Sequence, residues 1–309
     1  MRSKIGTLLF LILIGSLSVG CRGQVSTETD AGSDALYEDA GQDGGSDPGS
    51  DSGPDEGLDG AGDDQADSGQ DAGPDAGQDG AGDGDANQGA DTAEDRLSQQ
   101  VQSAMLRAMA FMRSIAIHGG YAGIYSLDLQ EKYGEGFYET VEPGYIWIQP
   151  PGTPSVGEAY LRAYNITGVA VYLEAARDVG RAVAWAQRLE GGWDHQGDVS
   201  GLEPTTVSFE RVSGQCTFDD DISQGGLRFL MNLDNVISED WLTESIALGI
   251  GFFLDSQFAN GAWPQWYPLR GSYHDYYTFN DNTINDCIAM LIQIHKRYGE
   301  AVYLDRVNL

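Results

Sequence analysis

Little in this sequence is cationic. Its 309 residues carry 17 Lys and Arg against 48 Asp and Glu, for a net charge of −31. A nucleic-acid partner, which needs a basic face, is excluded on that balance. Cysteine is scarce too. Cys21, Cys216 and Cys287 are too few for a disulfide framework. Cys216 and Cys287 read as small core residues, with a bridge between them left open. His274 has no cluster of histidines and cysteines around it, which argues against a zinc site there. The apolar run from Ile5 to about Leu17 is too short for a membrane-spanning helix.

What is present falls into three parts. Arg2 and Lys4 precede the apolar run and small residues follow it up to Cys21, the layout of a secretory signal over residues 1–21. The phrase LSVGC (17–21) resembles the lipobox of bacterial lipoproteins, with Ser18 where Leu is usual. That resemblance implies lipidation of Cys21, membrane attachment through the lipid alone, and a secreted outer-membrane or cell-surface lipoprotein. Residues 22–95 follow, with 22 acids among Gly, Ala, Ser and Gln, and no Lys or Arg beyond Arg22. Such a segment has too little apolar surface to offset the entropy of ordering it, and its charges repel, so an extended tether is expected. It has no fixed nonapeptide period of the kind that binds calcium.

Residues 96–309, with 26 acids and 14 Lys and Arg, are long enough for one core. Apolar residues recur at three- and four-residue spacing over 94–118, 155–167, 171–189, 222–233, 239–258 and 281–299. Alternation is confined to pieces such as GYIWIQ (144–149), so the class is all-α. Three helices end alike, in GGYAG (119–123), GGWDH (191–195) and NGAWPQW (260–266). The aromatic recurs at Tyr121, Trp193 and Trp263, and a second helix follows each loop. A period of about 70 residues carrying two helices predicts stacked α-hairpins, an irregular α/α toroid with its long loops gathered at one mouth. The chain stops early for a closed ring, so the toroid is expected to be truncated at its C-terminal end.

TFDDD (217–221) and TFNDN (278–282) are equivalent helix starts in successive repeats. One Asp in each suits an N-cap. Capping needs only one, and Asp219, Asp220 and Asp221 facing Asp281 would repel unless a cation lay between them.

The phrases YIWIQPPGTPSVGEAYLRAYNITG, GGWDH, CTFDDDISQGGLRFLM and NGAWPQWYPLR with YHDYYTFNDNTINDCI resemble the pectate lyases of polysaccharide lyase family 10, from about Gly119 to Tyr303. The resemblance implies an α/α toroid and calcium-assisted β-elimination on polygalacturonate. It places the catalytic aspartates at Asp219, or its neighbours, and Asp281. Calcium would be held among Asp219, Asp220, Asp221 and Asp281, with Asn280 and Asn282 beside them at the substrate. Trp266 and Tyr267 offer faces for sugar rings and Arg270 a partner for a uronate carboxylate, while Tyr273 and His274 line the same mouth. Trp193 and Trp263 recur with the repeat and read as loop packing.

The family's proton-accepting arginine lies well downstream of the second acidic motif, and no match to that region is present. Arg306 sits in the start of another helix and is no substitute. A surface lipoprotein that binds pectin fragments without cleaving them is therefore the alternative. The phrases QRLEGGW (187–193) and QFANGAW (257–263) fit the Q-x-x-x-G-x-W repeat of triterpene cyclases, a remote third reading. FDDD does not supply the Asp-x-Asp-Asp those enzymes need.

Overall fold

The computed structural model describes residues 92–309 apart from Tyr138. The signal segment, Cys21 and the tether up to residue 91 lie outside the described residues. Within them the protein is all-α, with seven helices and three two-stranded ladders. None of these helices is long and apolar enough to cross a membrane.

The first helix, α1 (Ala93–Ser114), starts inside the expected tether. Thr92 accepts the Asp95 N–H while the Asp95 carboxylate takes the Thr92 N–H, a capping box that satisfies two free donors at the helix start. It also ends four residues before the sequence pattern does, capped at Ile115, and the chain then turns through positive φ at His118 and Gly119 (49° and 94°). A Cβ on Gly119 would lie 2.4 Å from the Asp178 carbonyl oxygen, so the chain passes Asp178 there only as glycine.

β1 (Ile124–Tyr125) pairs with β2 (Lys132–Tyr133), and β3 (Tyr145–Trp147) leads into α2 (Thr153–Thr167). α3 (Ala170–Ala186) is followed by β4 (Gln196–Asp198), β5 (Cys216–Thr217) and α4 (Ile222–Asp234). α5 (Asp240–Asp255), β6 (Trp266–Tyr267), α6 (Thr283–Tyr298) and α7 (Ala301–Val307) complete the order. α2, α4 and α6 pack in sequence as one row, α3 and α5 form the row behind them, and α7 leans on α6. That two-row order is the toroid-like arrangement the repeat predicts.

The recurring loop phrase has a structural reason. Gln187 and Gln257 donate from Nε2 to the carbonyls of Gly191 and Gly261, both at 2.8 Å. Four residues separate each pair, which accounts for Q-x-x-x-G. Trp193 and Trp263 are fully buried, and each indole N–H donates at 2.8 Å to the carbonyl ten residues earlier, Val183 or Phe253. The two phrases that fit the cyclase pattern are thus loop locks. Cys216 and Cys287 are buried free thiols; burial pushes Cys216 up to about 12, and Gln224 Nε2 lies 3.7 Å from the Cys287 sulfur.

Two of the three ladders tie one hairpin to the next. β3 pairs antiparallel with β4 (Trp147 opposite Gln196), and β5 with β6 (Thr217 opposite Trp266). One residue further, Ile148 N–H donates to the His195 carbonyl and Phe218 N–H to that of Gln265. β3 and β5 are therefore each held by the loop of the following hairpin, and the residue after that bond enters the mouth.

Candidate metal and substrate site

Asp221 and Asn282 stand at the N-cap positions of α4 and α6, but neither motif caps through a side chain. Phe218 and Phe279 precede short 3-10 turns over 219–221 and 280–282, and no side chain of either motif bonds the helix start. The Thr of each motif does a different job. Thr217 Oγ1 accepts the Asp219 N–H at 2.9 Å, and Thr278 Oγ1 accepts the Asn280 N–H at 3.0 Å. The next two residues are left-handed in both motifs: Asp220 and Asp221 (φ 48° and 60°), Asp281 and Asn282 (φ 47° and 59°). Asp and Asn tolerate that region better than other non-glycine residues, which explains the composition at these four positions.

This backbone brings together three of the four carboxylates expected to hold a metal. Asp219, Asp220 and Asp281 each offer an oxygen within 4.8 Å of the other two. Asp221 does not join them. Arg228, seven residues on in α4, holds its carboxylate with two nitrogens, at 2.5 and 2.9 Å. The expectation of a fourth carboxylate ligand is corrected accordingly: two successive left-handed residues turn Asp221 toward its own helix. Arg228 is faced by Asp286 and Glu158 as well. Burial works against its charge, but Asp221 and these acids outweigh it and hold the guanidinium above its usual value.

The electrostatics are those of a crowded acid cluster. Burial first, and then Asp281, raise Asp219 above the ordinary aspartate value, with Gln265 and His195 partly offsetting them. Asp220 is raised by burial and then by Asp219, Asp281 and the exposed Glu135. Asp281 itself is exposed, and Asn280 Nδ2 donates to it.

Three neighbours had no signal in the sequence beyond their place in the repeat. Gln149, 6% exposed, donates from Nε2 to Asp220 at 2.7 Å. Gln265, also buried, lies against Asp219. His195 occupies the equivalent place one hairpin earlier, with Nδ1 3.2 Å from Asp194. Burial disfavours the charged imidazole, but Asp194, with Glu139 and Asp219 beyond, outweighs it and raises His195.

The remaining expected residues lie on one loop between β6 and the second motif. His274 stacks flat on Trp266, with ring centroids 3.5 Å apart, and Tyr273 covers it at 3.7 Å. Tyr267 pairs with Cys216 in the ladder and meets Phe252 edge-on. Arg270 is exposed, and Asp275 accepts its backbone N–H. Asn280 and Asn282 are exposed at the second motif.

The donor set fits a hard divalent cation. It is all oxygen, and three carboxylate oxygens within 4.8 Å of one another are close enough to share one ion at the Ca–O distance of roughly 2.4 Å. One carboxylate oxygen, Asp219 Oδ1, is buried with no hydrogen-bond partner. Imidazole and thiolate ligands, which would favour zinc, are absent from this cluster among the described residues.

Among solved structures the chain is similar to a family 10 polysaccharide lyase from Cellvibrio cellulosa, at 20% identity and a TM-score of 0.35, covering 50% of this chain and 48% of that one. A mutant of that protein in complex with trigalaturonic acid gives 19% identity and a TM-score of 0.36, with the same shares of each chain. An inactive alpha-1,6-mannanase variant from Salegentibacter, in complex with alpha-1,6-mannotriose, gives 15% identity and a TM-score of 0.37, over 52% and 45%. The chain spans about half the length of these structures. No curated protein matches it by sequence. The part of the chain that holds both acidic motifs and the loop between them, residues 187–305, matches the pectic acid lyase family.

Proposed function

We propose that the protein is a calcium-assisted pectate lyase acting on polygalacturonate. One observation carries the reading: Asp219, Asp220 and Asp281 gather from two successive hairpins in the stretch that matches pectic acid lyases. A bound calcium would neutralise the uronate carboxylate beside the reacting C5 and favour the enolate-like charge that develops there. The chain's own residues hold and orient. Asp219, Asp220 and Asp281 supply the metal-holding oxygens, and Asn280 and Asn282 stand at the substrate edge of the second motif. The Trp266–His274–Tyr273 stack gives a rigid aromatic face for sugar rings. Arg270 offers an exposed guanidinium for a second uronate. Without a cation the same carboxylates would repel a polyanionic chain.

A second reading is binding of pectin fragments without cleavage, for which the carboxylate cluster and the aromatic face suffice. The assay that separates the two follows unsaturated product by absorbance on polygalacturonate, with calcium and with chelator. Calcium-dependent product supports the lyase. Binding without product selects the second reading, and cleavage unaffected by chelation removes the metal from both.

The N-terminal features suit this role at a cell surface: lipid on Cys21 as the membrane anchor and residues 22–95 as the tether. Detergent-phase partitioning that is unchanged in Cys21→Ser would refute the anchor.

A further inference from the structure

Gln149 enters the mouth from a third hairpin. It follows β3 as Asp219 follows β5, because both strands pair with the next loop in the same register: Trp147 opposite Gln196, Thr217 opposite Trp266. The same bond then fixes the residue before each, Ile148 to His195 and Phe218 to Gln265. Asn280 holds the corresponding place in TFNDN. Gln149, Asp219 and Asn280 are thus the same repeat position in three successive hairpins, and all three carry a side-chain oxygen.

Two of these oxygens share a condition. Gln149 Oε1 and Asp219 Oδ1 are both buried and have no hydrogen-bond partner. Leaving a buried acceptor unpaired costs about 1–3 kcal/mol, and native proteins rarely tolerate it without cause. The amide orientation is not arbitrary. Nε2 donates to Asp220 at 2.7 Å, and the reverse orientation would set two oxygens against each other. The amide is held against Asp220 through Nε2, and its carbonyl oxygen has nothing to accept. Amide carbonyls are ordinary ligands of calcium, which takes six to eight oxygens, more than three aspartates provide.

We propose that the Gln149 side-chain carbonyl is a further ligand of the cation held by Asp219, Asp220 and Asp281, so that three successive hairpins close on one ion. The proposal rests on the cation reading of the site given above. It makes metal binding depend on the α2 hairpin, which lies outside the stretch that matches the lyase family.

The test is calcium affinity of the full chain by titration calorimetry, without substrate, for the wild type, Gln149→Ala and Gln149→Glu. Gln149→Ala should bind calcium roughly tenfold more weakly, in the range that removing one metal-site interaction produces. Gln149→Glu separates a ligand from a residue that merely orients Asp220. It loses the N–H to Asp220 but keeps an oxygen and adds charge, so it should bind calcium at least as tightly as the wild type. Equal affinity of Gln149→Ala and wild type, or weaker binding by a folded Gln149→Glu, overturns the proposal while the cation reading stands. A wild type that binds no calcium overturns both.

Discussion

Asp220 and Asp281 hold the same backbone conformation one repeat apart, at φ 48°, ψ 36° and φ 47°, ψ 34°. Each is followed by a second left-handed residue, and such pairs outside glycine cost on the order of 1–2 kcal/mol per residue. The surrounding fold holds them there, through the Thr hydroxyl before each turn and the helix after it. Asp281→Asn keeps a residue that tolerates this conformation and removes the charge. Its calcium binding should be lost and turnover on polygalacturonate should fall roughly 100-fold or more. Its melting temperature in chelator should equal or exceed that of the wild type, since one repelling carboxylate is gone. Calorimetric titration, product absorbance and a circular-dichroism melt read the three effects, and unchanged turnover would refute the assignment.

Asp221 stands apart from the three clustered acids. Its carboxylate is committed to Arg228, with side chains 26% and 35% exposed. Arg228→Met should therefore lower stability by about 2 kcal/mol, the usual worth of a hydrogen-bonded charge. That corresponds to a melting point lower by about 4–8 °C in a domain of this size. Calcium affinity should stay within about twofold. A variant that melts normally but loses calcium would place this pair inside the metal site.

The hairpin repeat was legible because it is written in residues that only one environment suits. Trp193 and Trp263 at a spacing of 70, a glutamine six residues before each, and Thr-Phe before DDD and NDN all have a single structural use here. The helices were legible from apolar spacing, although that spacing runs past the end of α1 into a turn with positive φ at His118, which carries no compositional mark. The site was half legible. Charge shows in a sequence, so the acid cluster stood out, but direction does not, and nothing in DDD says that the third carboxylate turns to Arg228. Gln149, His195 and Gln265 stayed hidden because neutral or lone polar residues become site residues only through strand register. Phe218 and Phe279 show the same limit. They are one position in two repeats, yet the first is fully buried against Phe252 and Phe253 and the second is 73% exposed.

The tryptophans divide into two kinds that substitution should separate. Trp193 is fully buried and bonded to Val183, so Trp193→Ala should cost about 3–5 kcal/mol, seen as a lower denaturation midpoint. Trp266 lies partly exposed beneath His274, and Trp266→Ala should leave the fold intact. Its binding to oligogalacturonates should weaken by about tenfold, the scale of one aromatic contact. Affinity electrophoresis in a polygalacturonate gel measures this, and unchanged mobility of Trp266→Ala would remove that ring from the sugar face.

Calcium and protons should compete for the same oxygens. Burial, and after it the neighbouring acids, hold Asp219 and Asp220 above the ordinary aspartate value. A carboxyl raised in the native state binds more protons there than in the unfolded chain. In chelator, stability should therefore fall as pH climbs from the ordinary aspartate range through the raised values, and stay lower above them. Calcium takes the place of those protons. Its stabilising effect should be small at about pH 4 and full at about pH 8. With free calcium about 100-fold above its dissociation constant, the gain should approach 2.7 kcal/mol, or about 5–10 °C in melting temperature. Paired melts with calcium and with chelator across that range measure it. A calcium shift of the same size at both ends would mean that the ion binds away from Asp219 and Asp220.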